Sequence, residues 1–184
     1  MSDPAFFGYG SLVNLATNPY GDPRPAVLHG WRRVWRRTHL RKAAYLSVMP
    51  CAETTLYGVI ARVPGADWGA LDQREAAYRR HDVSETVRHD GLKAPTAVYQ
   101  VRPEHVATAD DHPILLSYVD VVVQGYLRMH GYNGVAHFFD TTDGWNTAIL
   151  NDRADPVYPR HQMLSTDERA LVDHHLAAVM EKAE

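Results

Sequence analysis

The apolar pattern changes period near residue 104, and that change restricts the folds open to the chain. Before it, short apolar or alternating runs end at clusters of glycine, proline and asparagine, as strands do. Ala5-Phe6-Phe7 is apolar and stops at Gly8, so residues 5–9 read as a short buried strand. Residues 16–26 carry Asn18, Pro19, Gly21, Asp22, Pro23 and Pro25 and read as a loop. Residues 27–39 alternate loosely and are rich in Trp and Val, which predicts a long strand. Another strand is expected over 55–63, stopped by Pro64-Gly65, and Asp67 is placed to cap a helix from about Trp68 to Ala77. Residues 78–89 and 94–102 read as two strands joined by a turn at Asp90-Gly91.

After residue 104 the period is helical. Leu115, Val119, Val122 and Tyr126 share one face, and Leu116, Val123 and Leu127 widen it, so a helix is expected over 113–130 and Gly131 ends it. Val135 to Phe139 reads as a shorter helix or turn, broken at Asp143-Gly144. Residues 151–160 form a polar, proline-bounded loop, and Ser165-Thr166-Asp167-Glu168 is a capping box for a last helix over 166–181. Strands first and helices later argue for α+β rather than a doubly wound sheet. At 184 residues one domain over 1–184 is expected, sheet-rich over 1–103 and helix-rich over 104–184.

Two segments carry the chemistry. Phe6-Phe7-Gly8-Tyr9-Gly10-Ser11-Leu12 is a strand running into a glycine-flanked turn, which can present bare backbone N–H groups. Those groups could hold a carbonyl oxygen as charge develops on it, or a substrate carboxylate. Leu71-Asp72-Gln73-Arg74-Glu75-Ala76-Ala77-Tyr78 puts one carboxylate, Glu75, near the end of the expected helix. A donor-rich cradle and one acid/base suffice for acyl transfer without a metal. Glu75 could equally be a solvated glutamate paired with Arg74, Arg79 or Arg80.

Four segments together resemble the gamma-glutamylcyclotransferase family, in its ChaC-like branch. They are Tyr9-Gly10-Ser11-Leu12, His29-Gly30-Trp31-Arg32-Arg33-Val34-Trp35, Thr55-Leu56-Tyr57-Gly58-Val59 and Leu71-Asp72-Gln73-Arg74-Glu75, in the family's order. The resemblance covers roughly the first half of the chain and implies a small mixed, barrel-like sheet with helices around it. It implies an intramolecular cyclotransferase that converts a gamma-glutamyl peptide or amine, glutathione among the candidates, to 5-oxoproline. It implies Glu75 as base and then acid. The Tyr9, Gly10, Ser11 and Leu12 cradle would bind substrate with Tyr78 beside it, and no cofactor is needed. In ChaC-like sequences the aromatic residue sits slightly further on and follows glycines, whereas Ala76-Ala77 precede Tyr78 here. Tyr99 is a further pocket candidate, and Arg153 or Arg160 could close over a substrate carboxylate. The alternatives are a non-catalytic binding domain and an amide hydrolase using the same pocket.

Other classes fare worse. Arg32-Arg33-Val34-Trp35-Arg36-Arg37 looks basic, but on a strand its arginines split between two faces, and the net charge is −3, so no nucleic-acid partner is expected. Trp31 and Trp35 read as core. The eleven histidines show no His-x-x-x-His or His-Glu-x-x-His spacing, so no metal site is expected. Gly-x-Gly here lacks the third glycine of a dinucleotide fingerprint and the Gly-Lys-Ser/Thr of a P-loop. The single cysteine, Cys51, fits a reducing cytoplasm. Met1-Ser2-Asp3-Pro4 lacks a basic leader region and no run is long enough to span a membrane, so neither signal peptide nor membrane partner is expected. Oligomeric state is not legible.

Overall fold

The structure is a computed structural model that describes residues 3–91, 94–107 and 111–182; Met1 and Ser2, read above for a leader, lie outside them. Two long antiparallel strands form its spine, β2 (Arg24–Arg36) and β3 (Tyr45–Arg62), paired from Arg24–Ile60 to Arg36–Tyr45 with a register shift between His29 and Trp31. The first strand, β1 (Ala5–Gly8), lies antiparallel to β3 and parallel to β6 (Thr96–Val101). At one edge β4 (Tyr78–Asp82) pairs with β6, and at the other β5 (Val87–His89) pairs with β2. The order is β4-β6-β1-β3-β2-β5, with β8 (Thr142–Asp143) added parallel to β2, a seven-stranded mixed sheet. A separate parallel pair joins β7 (Ile114–Leu115) to β9 (Ile149–Leu150). The fold is α+β, as the order of periods predicts.

Alternation along β1 sends its two phenylalanines to opposite sides of the sheet. Phe7 joins the main core, with Leu28, Leu56, Ile60 and Val98. Phe6 joins a smaller cluster with Leu12, Val63, Leu71 and Tyr99, which seats α1 (Gly69–Arg74). Helix α2 (Leu116–Asp140) packs against β3 and α3 (Thr166–Glu181). Its stretch from Val119 to Tyr126 is buried all round, polar Asp120 and Gln124 included. The capping box of α3 is present: Glu168 N donates to Ser165 Oγ at 3.1 Å and Ser165 N to Glu168 Oε2 at 2.8 Å.

Four sequence readings need correction. β3 begins at Tyr45, ten residues before the expected strand, because Pro50, Ala52 and Glu53 face solvent beside the register shift and mask the pattern. Residues 78–89 are not one strand. Asp82 Oδ1 accepts from Ser84 N at 2.9 Å and from its hydroxyl at 2.6 Å, and the turn sends β5 across to β2. Helix α1 is shorter than expected and ends at Arg74; Asp67 still accepts from Gly69 N at 2.9 Å, but Trp68 holds the cap position. Gly131 does not end α2 but kinks it, with φ +66° and ψ −166°, and the helix resumes to Asp140.

The basic run resolves by burial. Arg33 is fully buried, Arg32 pairs with Asp143 at 2.7 Å, and Arg36 reaches the Met49 sulfur at 3.9 Å. Trp35 is core and Trp31 packs against it half-buried. Among the described residues no group of three or more His, Cys, Asp or Glu could hold a metal ion, and no helix is long and apolar enough to cross a membrane.

Candidate active site

Strand β1 delivers Tyr9 to the end of the sheet, where three partners hold it. Its carbonyl accepts from Arg33 Nε at 3.0 Å and from the Tyr126 hydroxyl at 2.9 Å, and its own hydroxyl donates to the Tyr99 carbonyl at 2.7 Å. Arg33 also donates to Thr141 Oγ1 and the Tyr57 carbonyl, each at 2.6 Å, and to the Tyr126 hydroxyl. It is a buried cation satisfied by neutral oxygens, and burial holds its pKa below the usual arginine value. The backbone leaving β1 is therefore fixed from beneath.

Beyond Tyr9 the chain turns tightly. Val13 N donates to the Gly10 carbonyl at 3.0 Å, closing a 3₁₀ turn over Ser11–Val13. A Cβ on Gly10 would stand 2.6 Å from the Tyr118 hydroxyl oxygen, so only glycine allows this approach. That oxygen in turn faces the Ser11 backbone amide. The turn is docked on α2. Asn14 Nδ2 donates to the Val121 carbonyl at 2.9 Å and to Gln124 Oε1 at 3.0 Å, and Gly125 leaves room for the Asn14 backbone.

Arg74, the last residue of α1, ties the helix end to the same turn. It donates to the Thr17 carbonyl at 2.9 Å and to Ser11 Oγ at 3.2 Å, and its Nε stands 3.3 Å from Glu75 Oε1. Glu75 is the residue that caps the helix, so it leaves α1 facing the turn. Gly8 through Leu12, Leu46, Glu75, Tyr78, Tyr99 and Tyr118 line one small recess with about 30 Å³ of open space. The side chain of Glu75 is 15 % exposed. Burial pushes its carboxyl above the usual range, and Arg74, Arg160 and Arg41 pull it part of the way back. Glu75 is thus both buried beside the turn and paired with Arg74; of the three arginines read as surface partners, Arg79 and Arg80 do not pair with it.

Tyr9, Gly10, Ser11, Leu12, Glu75, Tyr78 and also Tyr99, all singled out from sequence, line this recess; Arg153 and Arg160 do not. The Tyr78 hydroxyl donates to the Leu46 carbonyl at 2.9 Å, and the Tyr99 hydroxyl to Asp72 Oδ1 at 2.6 Å, so both rings form walls with their hydroxyls already engaged. Four residues were missed: Arg33 and Tyr126 beneath the turn, and Tyr118 and Arg41 beside Glu75. Arg33 sat within the segment carrying the resemblance, but nothing in its alternation marks it as buried. Arg153, one of two loop candidates for a carboxylate, is taken. It grips Asp120 through two bonds of 2.8 and 2.7 Å and Asp173 through a third of 2.8 Å.

A family model described as ChaC-like protein matches residues 5–116, from β1 to the first residue of α2 and more than half of the chain. No curated protein sequence matches. Solved structures share the fold at low identity. A gamma-glutamyl cyclotransferase is 12 % identical at a TM-score of 0.60, over 94 % of this chain and 99 % of its own. An uncharacterised protein from Homo sapiens is 13 % identical at 0.61, with the same two coverages, 94 % and 99 %. YkqA from Bacillus subtilis is 19 % identical at 0.58; the match takes in 78 % of this chain, which spans only 57 % of YkqA. Strand β1, its turn and the Glu75 helix all fall inside the matched stretch, and the chain belongs to the ChaC-like protein family.

Proposed function

We propose that the protein is a gamma-glutamylcyclotransferase that releases 5-oxoproline from a gamma-glutamyl compound, with Glu75 as its proton carrier. One observation carries the reading: a half-buried carboxylate with a raised pKa shares a recess with the Tyr9–Leu12 turn. Glu75 takes a proton from the substrate's α-amine, and the amine nitrogen attacks the γ-carbonyl carbon. The oxygen gains negative charge and is held by backbone N–H groups of the turn. As the carbonyl re-forms, the bond to the leaving nitrogen breaks and Glu75 returns the proton to it. The products are 5-oxoproline and an amine, or cysteinylglycine if glutathione is the substrate. Starting from the neutral amine, one proton is transferred and no atom changes oxidation state, so the step needs only orientation, a carbonyl cradle and one tuned acid. Tyr78, Tyr99 and Tyr118 wall the recess and exclude water that would otherwise compete with the amine.

The test is mass-spectrometric detection of 5-oxoproline from wild type and Glu75→Gln, with glutathione, gamma-glutamyl dipeptides and gamma-glutamyl amines. Product from wild type and a loss of about 10²–10⁴-fold in kcat for the variant is expected. Full activity in Glu75→Gln would remove Glu75 from the reaction. Free glutamate would identify an amide hydrolase instead. Binding without any product would identify a non-catalytic binding domain.

A further inference from the structure

Arg33 has no exposed surface, yet among the described residues no carboxylate pairs with it. Its side-chain partners are all neutral: the Tyr9 carbonyl at 3.0 Å, Thr141 Oγ1 and the Tyr57 carbonyl at 2.6 Å each, and the Tyr126 hydroxyl. The rings of Tyr126 and Phe138 stand 5.0 and 5.3 Å from the guanidinium carbon and offer it their faces. Arginine does not lose its proton in the working range, so the charge is present. A buried cation without a counter-charge costs folding stability, and a neutral donor would brace the same carbonyls at less cost. Bracing alone does not account for a charge at this place.

The Tyr9 carbonyl is the partner that leads out of the core. Arg33 Nε donates to it at 3.0 Å and the Tyr126 hydroxyl at 2.9 Å. The peptide bond that follows is trans, so Gly10 N–H points the opposite way from that carbonyl. Tyr9 and Gly10 line the Glu75 recess, whereas Arg33 and Tyr126 do not. One peptide unit therefore separates the buried cation from the recess, with its N–H end on the recess side. Donors on a carbonyl draw electron density from the amide nitrogen, and the N–H at the far end becomes the stronger donor. Resting on the cyclotransferase reading of this site, we propose that Arg33 is a positioning residue that acts through the Tyr9–Gly10 peptide. With Tyr126 it orients and polarises that peptide, so that Gly10 N–H holds the negative charge developing on the substrate's γ-carbonyl oxygen. The oxyanion is then the counter-charge that Arg33 lacks in the resting core.

Nuclear magnetic resonance reads the polarisation without any substrate. With 13C-carbonyl tyrosine and 15N-glycine, only three peptides carry both labels: Tyr9–Gly10, Tyr20–Gly21 and Tyr57–Gly58. Arg33→Met and Tyr126→Phe should each move the Tyr9 carbonyl carbon and the Gly10 nitrogen upfield, with the Tyr20–Gly21 pair unmoved as internal reference. Arg33→Lys, which keeps the charge and loses the fork, should stay near wild type. Tyr126→Phe keeps the ring, so it tests the bond even where Arg33→Met does not fold. In the 5-oxoproline assay with glutathione and gamma-glutamyl dipeptides, kcat should fall about tenfold in both, less than the 10²–10³-fold of a direct donor, with KM unchanged within about twofold. Arg33→Lys should recover most of that kcat, a rescue that a purely bracing fork would not give. The charges acting on the Glu75 carboxyl are those of Arg74, Arg160 and Arg41, so the acidic limb of kcat/KM should stay in place. Unmoved Tyr9 and Gly10 resonances, an unchanged kcat or a shifted limb overturns the proposal, and so does a rise in KM alone. Resonances that move as stated in a protein whose wild type releases no 5-oxoproline keep the polarised peptide and remove the cyclotransferase.

Discussion

Gly125→Ala pits two effects of known size against each other. Alanine is the better helix former, and within a helix the exchange favours folding by about 1 kcal/mol. The added Cβ, however, would stand 2.6 Å from Asn14 N, 2.8 Å from its Cα and 2.9 Å from its Cβ, where ordinary contact begins at 3.4 Å. Most of these atoms are backbone, so no side chain can swing away. The turn must retreat from α2 by about 0.8 Å, the difference between 2.6 and 3.4 Å. Overpacking of this kind costs about 1–3 kcal/mol, and rigid partners put it at the upper end. The balance is a loss of about 2 kcal/mol, or about 4–8 °C in Tm for a chain of this size. Function should suffer more than stability. Asn14 closes the turn that begins at Gly10, and a displacement near 1 Å in a positioning element costs about 10²-fold in rate. Differential scanning calorimetry and the 5-oxoproline assay, run on the same preparation, read both. A variant with raised Tm and full activity would refute the claim that α2 sets the position of the turn.

Other expectations are quicker to state. Arg74 gives the largest opposing pull on the Glu75 carboxyl, so Arg74→Met should raise that pKa further and move the acidic limb of kcat/KM to higher pH. An unmoved limb would separate Glu75 from the titration that governs rate. Because the folded-state carboxyl lies above its unfolded value, ionised Glu75 costs stability at neutral pH. Glu75→Gln should be more stable than wild type at pH 8, and the gain should fade as pH drops through the raised pKa towards about 4. A less stable variant at pH 8 contradicts the assigned burial. Ser165→Ala removes the cap bond to Glu168 N and should cost about 1 kcal/mol, with activity unchanged.

What the sequence disclosed was local in origin. The capping box at Ser165 needs four consecutive residues, and the end of β1 at Gly8 needs an apolar run and a glycine. Glu75 and the Tyr9–Leu12 turn were singled out because each lies in a short segment that carries the family resemblance, not because residue chemistry alone marked them. Arg33 was not, because its burial depends on oxygens of Tyr9, Tyr57, Tyr126 and Thr141, spread over most of the chain. On a strand with arginines on both faces, charge alone reads as exposure. The exchange of β5 from β4's neighbourhood to the edge of β2 was hidden for a related reason, since a three-residue strand carries no signal about its partner. Arg160 was singled out from its loop, whereas Arg41 could be seen only once the fold had brought it to the same hollow as Glu75.

The central position of β1 also has a consequence for how the chain is made. Residues 5–8 are made before both of their sheet neighbours, the far end of β3 at 59–62 and β6 at 96–98. At synthesis rates of about 5–20 residues per second, β1 waits about 3–11 s for β3 and about 5–20 s for β6. Pairings this distant in sequence also form slowly once the whole chain is available. The nascent protein therefore carries an unpaired apolar tetrapeptide until β3 and then β6 have been made. Its yield in cells should depend more on chaperones that bind early hydrophobic segments than the stability of the finished fold would suggest.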